Sequence, residues 1–332
     1  MRQNIRVIQY GLGPIGAATA RLVHERAGLE LVAGIDIDPA KVGKDVGSVI
    51  GLNEHLGFNV VESITDLGDK AQADLVLHTT SSYFPGFKHQ ILEILEAGFN
   101  IVSTSEELSF PWFANAGDAA EIDLAAKKAG KTILGTGVNP GFLMDSLPLT
   151  LTSICQRVDH VDVKRVINAS TRRGPFQKKI GAGLSVEEFQ TLISAGKMGH
   201  VGLIQSSGMV MHAFGKKLIH FETSVEPVVT QERKETDYLV ALPGQVIGIK
   251  QLATACTETD EFISLTFVAA LDADDEQDTI TITGVPNLEV QLHGTNGDLA
   301  TVAIAVNAIP HVIAAEPGLV TMPDLPILSC WE

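Results

Sequence analysis

Three glycines and a carboxylate lead the residues whose types and spacing can do chemistry. Gly11, Gly13 and Gly16 form a G-x-G-x-x-G pattern in IRVIQYGLGPIGAATARL, directly after an apolar strand-like run. The first permits a tight turn, the second lets backbone approach a pyrophosphate, and the third lets helix and strand pack closely. Leu12, Pro14 and Ile15 complete the loop. The helix they open offers unpaired N–H groups and a positive dipole end, so phosphate needs no basic side chain there. A second apolar run, Leu29 to Ile35, ends at Asp36, about 20 residues past Gly16, where a carboxylate accepts hydrogen bonds from an adenosine ribose. Asp36 also fits a plain turn before Asp38-Pro39. Lys41 and Lys44 follow closely enough to meet a 2′-phosphate, so the cofactor is NAD or NADP, with NAD favoured.

Glu106 and Glu107, in STSEELSFP, sit at the carboxyl end of the run Asn100 to Thr104. In an open parallel sheet that is where the nicotinamide half of a dinucleotide meets its substrate. A carboxylate in an apolar cleft suits amine chemistry, because it offsets an ammonium or iminium charge and takes protons at neutral pH. Adjacent acids at a helix start also act as plain dipole partners. Thr79, Thr80 and Ser81 end another apolar run and either contact the cofactor or make a short polar turn. Asn139, Pro140 and Phe142 fall where a sixth strand should emerge beside the nicotinamide, though turn formation alone accounts for the first two. Arg172 and Arg173 suit bidentate pairing with a substrate carboxylate, or with a facing acid within a sheet. Phe176, His200 and His212 suit a substrate pocket; for either histidine a satisfied core position is the commoner role. Thr295 fits that pocket, and with Asn296 it is placed to cap a late helix.

These residues need a scaffold, and the strand-like runs at Ile5, Leu29, Ala73 to Thr79, Asn100 to Thr104 and Lys131 to Gly135 alternate with helical periodicity. Such alternation calls for right-handed crossovers and a parallel sheet. Turn formers at Gly137-Val138-Asn139-Pro140-Gly141 close this part. Beyond them, β-branched or alternating runs at Val161 to Ala169, Ile219 to Val229, Gln245 to Ala255, Phe262 to Leu271 and Thr279 to Val285 predict a largely antiparallel sheet. Helices are expected near Met144 to Ser153, Ser185 to Ala195, Gly202 to Phe214 and Gly297 to Ile309. The fold class is α/β: a Rossmann-type doubly wound parallel sheet plus an α+β second domain. Expected boundaries are 1–143 for dinucleotide binding, 144–296 for substrate binding and dimerisation, and 297–332 for a helix and tail returning to the first domain.

A chain of 332 residues exceeds the usual single-core size. Its 24 Lys+Arg against 40 Asp+Glu give a net charge of −16, which argues against nucleic acid or an anionic membrane as partner. Three widely spaced cysteines form no C-x-x-C pattern, and the ten histidines form no metal motif, so neither a disulfide framework nor a metal is expected. A cytoplasmic location fits. MRQN leads straight into the first strand with no room for a signal peptide, and no apolar run is expected to approach a membrane-spanning length.

Taken in order, VIQYGLGPIG, DIDPAKVGKDVG, the TTSS loop, STSEELSFP, LGTGVNPGF, VINASTRRGPFQKKIGAGLSVEEF, GHVGL and GTNGDLATVAIAVNAIPHV resemble the 2,4-diaminopentanoate dehydrogenase family, which includes native amine dehydrogenases. The first domain is also similar to the N-terminal domain of dihydrodipicolinate reductase. The resemblance implies an NAD(P)-dependent amine dehydrogenase that reversibly converts an amine to a ketone and ammonia. It assigns the contact with the substrate amine to Glu106, and less readily to Glu107, and it implies a homodimer. Alternatives are a dihydrodipicolinate reductase-like or homoserine-dehydrogenase-like oxidoreductase, or an NAD-sensing regulator without turnover. The reductase is disfavoured, because its His-His pair, nearby Lys and P-S-G-T run are missing from the second domain.

Overall fold

Each apolar run of the first part becomes a strand of one parallel sheet. The computed structural model describes residues 4–70 and 72–331; Met1-Arg2-Gln3, part of the stretch on which the signal-peptide expectation rests, lies outside them. The chain divides into two compact units, Met1–Phe142 with Asn296–Glu332, and Leu143–Thr295.

In the first unit the order is β1 (Ile5–Tyr10), α1 (Pro14–Glu25), β2 (Leu29–Ile35), α2 (Val46–Val49), β3 (Leu75–His78), α3 (Phe84–Glu96), β4 (Asn100–Ser103), α4 (Ala116–Ala129) and β5 (Thr132–Gly135). The chain's end adds α9 (Gly297–Ala314) and β14 (Gly318–Val320). The sheet runs β14-β5-β4-β3-β1-β2 with every pair parallel. β3 and β5 are buried at every residue, as strands covered on both faces must be. Ile8, Val76, Phe87, Ile91, Ile101 and Ile133 belong to the core. The sixth strand comes from Gly318–Val320, so Asn139 to Phe142 follow the fifth strand instead. A three-residue strand leaves too short a pattern to be seen in sequence.

α9 corrects a second expectation. Among the described residues it alone is long and apolar enough to cross a membrane by length and composition. It packs on α1, β3, β4 and β5, and Val302, Ala305, Val306, Ile309 and Val312 are buried, so its apolar character belongs to a core helix. It also runs past Ile309 through Pro310, since packing on both sides of that residue outweighs the missing backbone donor.

The second unit contains α5 (Ser146–Leu151), β6 (Arg157–Asn168), α6 (Gly174–Lys179), α7 (Val186–Ser194), α8 (Leu203–Ala213) and β7 (His220–Val229). A small hairpin, β8 (Lys234–Glu235) with β9 (Val240–Ala241), precedes β10 (Val246–Cys256), β11 (Glu261–Ala270), β12 (Gln277–Val285) and β13 (Leu288–Leu292). Its six-stranded sheet runs β13-β12-β6-β11-β10-β7, antiparallel except for β6 with β11. Val161, Val163 and Ile167 share one face of β6 and join Phe189, Leu203 and Met211 from the helices in the core.

Candidate active site

The glycine loop is built by close approach. Gly11 has φ +88°, and a Cβ there would stand 2.5 Å from the Thr79 carbonyl oxygen. A Cβ on Gly16 would lie 1.9 Å from the Gly11 carbonyl oxygen and 2.5 Å from Thr79 Oγ1, so only glycine lets α1 seat against the loop. Gly13 differs: a Cβ there meets nothing within 4 Å. Open space therefore lies beside the Gly13 backbone, which close approach of a pyrophosphate requires. Gly13 is also the N-cap of α1, with no side-chain cap and no acid in the first turn. The helix's first N–H groups remain for an anionic ligand, and the loop fits the dinucleotide.

Asp36 follows β2 and is tightly held. Its Oδ2 accepts from Leu12 N at 2.8 Å and Lys41 Nζ at 2.9 Å, while Oδ1 accepts from Asp38 N at 2.9 Å. Burial alone would raise its pKa, but the Lys41 and backbone hydrogen bonds outweigh burial and lower it. Thr79 is committed to the loop: its hydroxyl donates to Gly11 O at 2.9 Å and accepts from Gln9 Nε2 at 2.9 Å. Thr80 donates to Gln90 Oε1 at 2.7 Å, and Ser81 Oγ accepts from Tyr83 N at 3.3 Å. All three hydroxyls thus make hydrogen bonds within the protein.

The paired acids part company. Glu107 Oε2 accepts from Phe84 N at 2.7 Å, capping the first turn of α3, and its own N–H donates to Ser82 O. Glu106 lies at the start of the single turn Glu106–Leu108, and among the described residues nothing hydrogen-bonds to its carboxylate. Tyr83, half exposed at the N-terminus of α3, is the aromatic neighbour that sequence reasoning missed. Burial raises its pKa, and the charges of Glu106 and then Glu107 raise it further. Asn139 is buried in the turn after β5, Pro140 and Gly141 follow, and Phe142 is 36% exposed. Val138 N in the same turn donates to Thr301 Oγ1 of α9 at 3.2 Å.

In the second unit, Arg172 and Phe176 come together, with the guanidinium carbon 4.7 Å from the ring centroid. Arg173 precedes α6 as its N-cap. Both arginines lie beyond the end of β6, outside the sheet itself. An arginine that pairs with an acid within the sheet is Arg165, 3% exposed, whose Nη1 donates to Asp278 Oδ1 at 3.1 Å. Burial lowers the Arg165 pKa and raises that of Asp278, in each case outweighing the partner's charge. Thr295 closes this pair through its carbonyl, which accepts from Arg165 Nη2 at 3.4 Å, and a side-chain hydrogen bond to Asp278. Asn296, not Thr295, caps α9, accepting from Asp298 N and Leu299 N.

Strand register places Leu292, Asp278, Arg165, Phe267, Gln251 and Val225 on one rung across all six strands. His200 stacks on Phe267 of this rung, with centroids 4.4 Å apart at 11°. Gln251 grips its backbone, accepting from His200 N at 2.6 Å and donating to its carbonyl at 3.3 Å. Burial, with the Lys179 and Arg165 charges, pushes the His200 pKa down to about 3, so the imidazole is neutral. His212 stands apart from these, exposed in the last turn of α8, where a basic group suits the helix dipole. The signal that identifies Arg165 and Asp278 is a charge at an inward-facing position of a strand, two residues from a core apolar residue.

A parallel sheet of this order, with a glycine loop opening a helix and an acid ending the second strand, defines a nicotinamide-dependent oxidoreductase of the Rossmann type. Residues 142–332 match the 2,4-diaminopentanoate dehydrogenase C-terminal domain. A 2,4-diaminopentanoate dehydrogenase of Acetoanaerobium sticklandii is 32% identical, over 98% of this chain and 94% of that protein. An amine dehydrogenase of Streptomyces virginiae is 23% identical, over 97% of this chain and 96% of that one. The solved structure of an amine dehydrogenase from Mycobacterium smegmatis superposes with a TM-score of 0.88 at 26% identity, covering 99% and 98% of the two chains. The chain belongs to the 2,4-diaminopentanoate dehydrogenase family. Within it, the protein is an NAD(P)-dependent oxidoreductase of the amine dehydrogenase kind.

Proposed function

We propose that Glu106 is the catalytic carboxylate of a reversible oxidative deamination. In the forward direction the carbon beside the amine gives up its C–H hydride and an iminium cation forms. Water then adds at the iminium carbon, and the C–N bond breaks to release ketone and ammonium. The loop Gly11 to Gly16 and Asp36 would hold the dinucleotide, which would supply the hydride acceptor. Glu106 offsets the positive nitrogen and exchanges protons with it, which in reverse turns ammonium into nucleophilic ammonia. The observation that carries the reading is the division of labour between the two acids: Glu107 is spent on Phe84 N, whereas Glu106 keeps its carboxylate for a ligand.

In the second unit we keep Arg172 and Phe176, whose guanidinium and ring lie against each other, as candidate substrate contacts of that unit. The opposite face of that unit's sheet presents Thr279, Lys164, Thr266, Leu252 and Ser224 in a row. We assign that face to a second copy of the chain, in a homodimer, because an open sheet face is commonly covered this way; concentration-dependent sedimentation tests it. Free Cys155, Cys256 and Cys330 suit a cytoplasmic location.

NADH consumption with ammonia and a panel of small ketones, including 2-amino-4-oxopentanoate, tests the reaction. Absence of turnover with every carbonyl would sink it. Glu106→Gln is expected to lower kcat by about 10²–10⁴-fold with little change in cofactor KM. Near-normal turnover in that variant would remove Glu106 from the mechanism.

A further inference from the structure

We propose that His78, a residue the reaction scheme leaves unused, is a positioning residue that fixes the turn carrying Glu106 through its Nδ1 atom; the catalytic part of this inference rests on the Glu106 reading. His78 ends β3, at the centre of the parallel sheet, and is fully buried. Its Nε2 lies 2.9 Å from Gln90 Oε1 of α3 and 2.9 Å from Thr80 Oγ1, while Thr80 Oγ1 donates to the same Gln90 oxygen at 2.7 Å. An amide oxygen only accepts, so Nε2 carries the proton.

The other nitrogen is then settled. Burial pushes the His78 pKa down to about 4, so the ring is neutral and Nδ1 holds a lone pair. Ser103 Oγ, 2.9 Å away at the end of β4, donates its hydrogen to Nδ1. Its oxygen in turn accepts the Ser105 N–H at 3.2 Å. Ser105 immediately precedes Glu106 and is the N-cap of its turn. A directed chain therefore runs from Ser105 N–H through Ser103 to His78, and from His78 to Gln90. One neutral imidazole ties together the loop after β3 and the turn after β4.

His78→Gln and His78→Asn separate this role from simple packing. An Asn amide reaches about as far as Nδ1 and keeps an acceptor for Ser103, whereas a Gln amide reaches toward Nε2 and abandons Ser103. His78→Asn is expected to hold kcat within about fivefold of the parent. His78→Gln, and Ser103→Ala alike, should lose about tenfold or more in kcat, with cofactor KM within about twofold in each. The double variant His78→Gln/Ser103→Ala should lose no more than either alone, since both cut one chain. A second readout does not depend on catalysis: hydrogen exchange at the Ser105 amide should speed up in His78→Gln and Ser103→Ala but not in His78→Asn. If Glu106→Gln stays active, the catalytic reading of Glu106 falls, and Ser105 exchange still decides whether His78 positions the turn. Equal losses in the Asn and Gln variants, or Ser105 exchange unchanged in His78→Gln, would overturn the proposal.

Discussion

Asp36 has most of its hydrogen-bonding capacity in use, and this shapes how it treats a cofactor. Leu12 N and Lys41 Nζ occupy one oxygen and Asp38 N the other, leaving a remaining lone pair for a ribose hydroxyl. Lys41 Nζ also stands 3.6 Å from Asp38 Oδ2, so this cation, one of the two lysines near enough in sequence to meet a 2′-phosphate, is shared between two carboxylates. A 2′-phosphate would have to draw Lys41 away while facing the Asp36 charge. The native protein should therefore prefer NAD. Asp36→Ser removes the repulsion and releases Lys41, and kcat/KM ratios with the two cofactors should shift toward NADP by about tenfold, the equivalent of about 1.4 kcal/mol. A native preference for NADP would contradict the ribose role. Lys41 is an example of what sequence order conceals: proximity in the chain suggests a phosphate ligand, and only the fold turns its side chain back onto Asp36.

At the scale of the element, the strand–loop–helix unit makes two glycines respond differently to one added methyl. Gly16→Ala drives a Cβ into the Gly11 carbonyl, where no flexible side chain can yield, so α1 must move off the loop. Gly13→Ala meets open space at φ −66°, so thermal stability should stay close to the parent. Its methyl fills the approach of the pyrophosphate, and the NADH Kd from fluorescence titration should rise about tenfold or more. Unchanged NADH affinity in Gly13→Ala would mean that the phosphate lies elsewhere. This unit is the most legible part of the sequence, because its spacing encodes steric demands local to a few residues. The turn with Glu106 is legible for a related reason, being at the end of a recognisable strand. The rung Arg165–Asp278–Phe267–Gln251 is not, since its members are brought together by pairing between strands far apart in the chain. β14 escapes notice because three residues carry no period, and the end of α9 because Pro310 argues locally for a stop that core packing overrides.

For the molecule as a whole, acidity acts through two buried histidines, one in each unit. His78 titrates at about 4 and His200 at about 3, against 6.5 in an unfolded chain. As pH falls through about 6.5 the unfolded chain takes up a proton at each, and the folded chain does not until about 4 and 3. Stability is thus complete above 6.5 and declines below it, approaching about 1.4 kcal/mol per pH unit for each histidine. The net charge of −16 works the other way, because carboxylate repulsion lessens on acidification. A melting temperature that falls between pH 7 and pH 5 would show the histidines prevailing in a range above the ordinary carboxylate pKa. His200→Phe keeps an aromatic ring for the stack on Phe267 and removes a titrating group, so its melting temperature should fall less steeply over that interval. A slope identical to the parent's would assign the acid sensitivity to other groups.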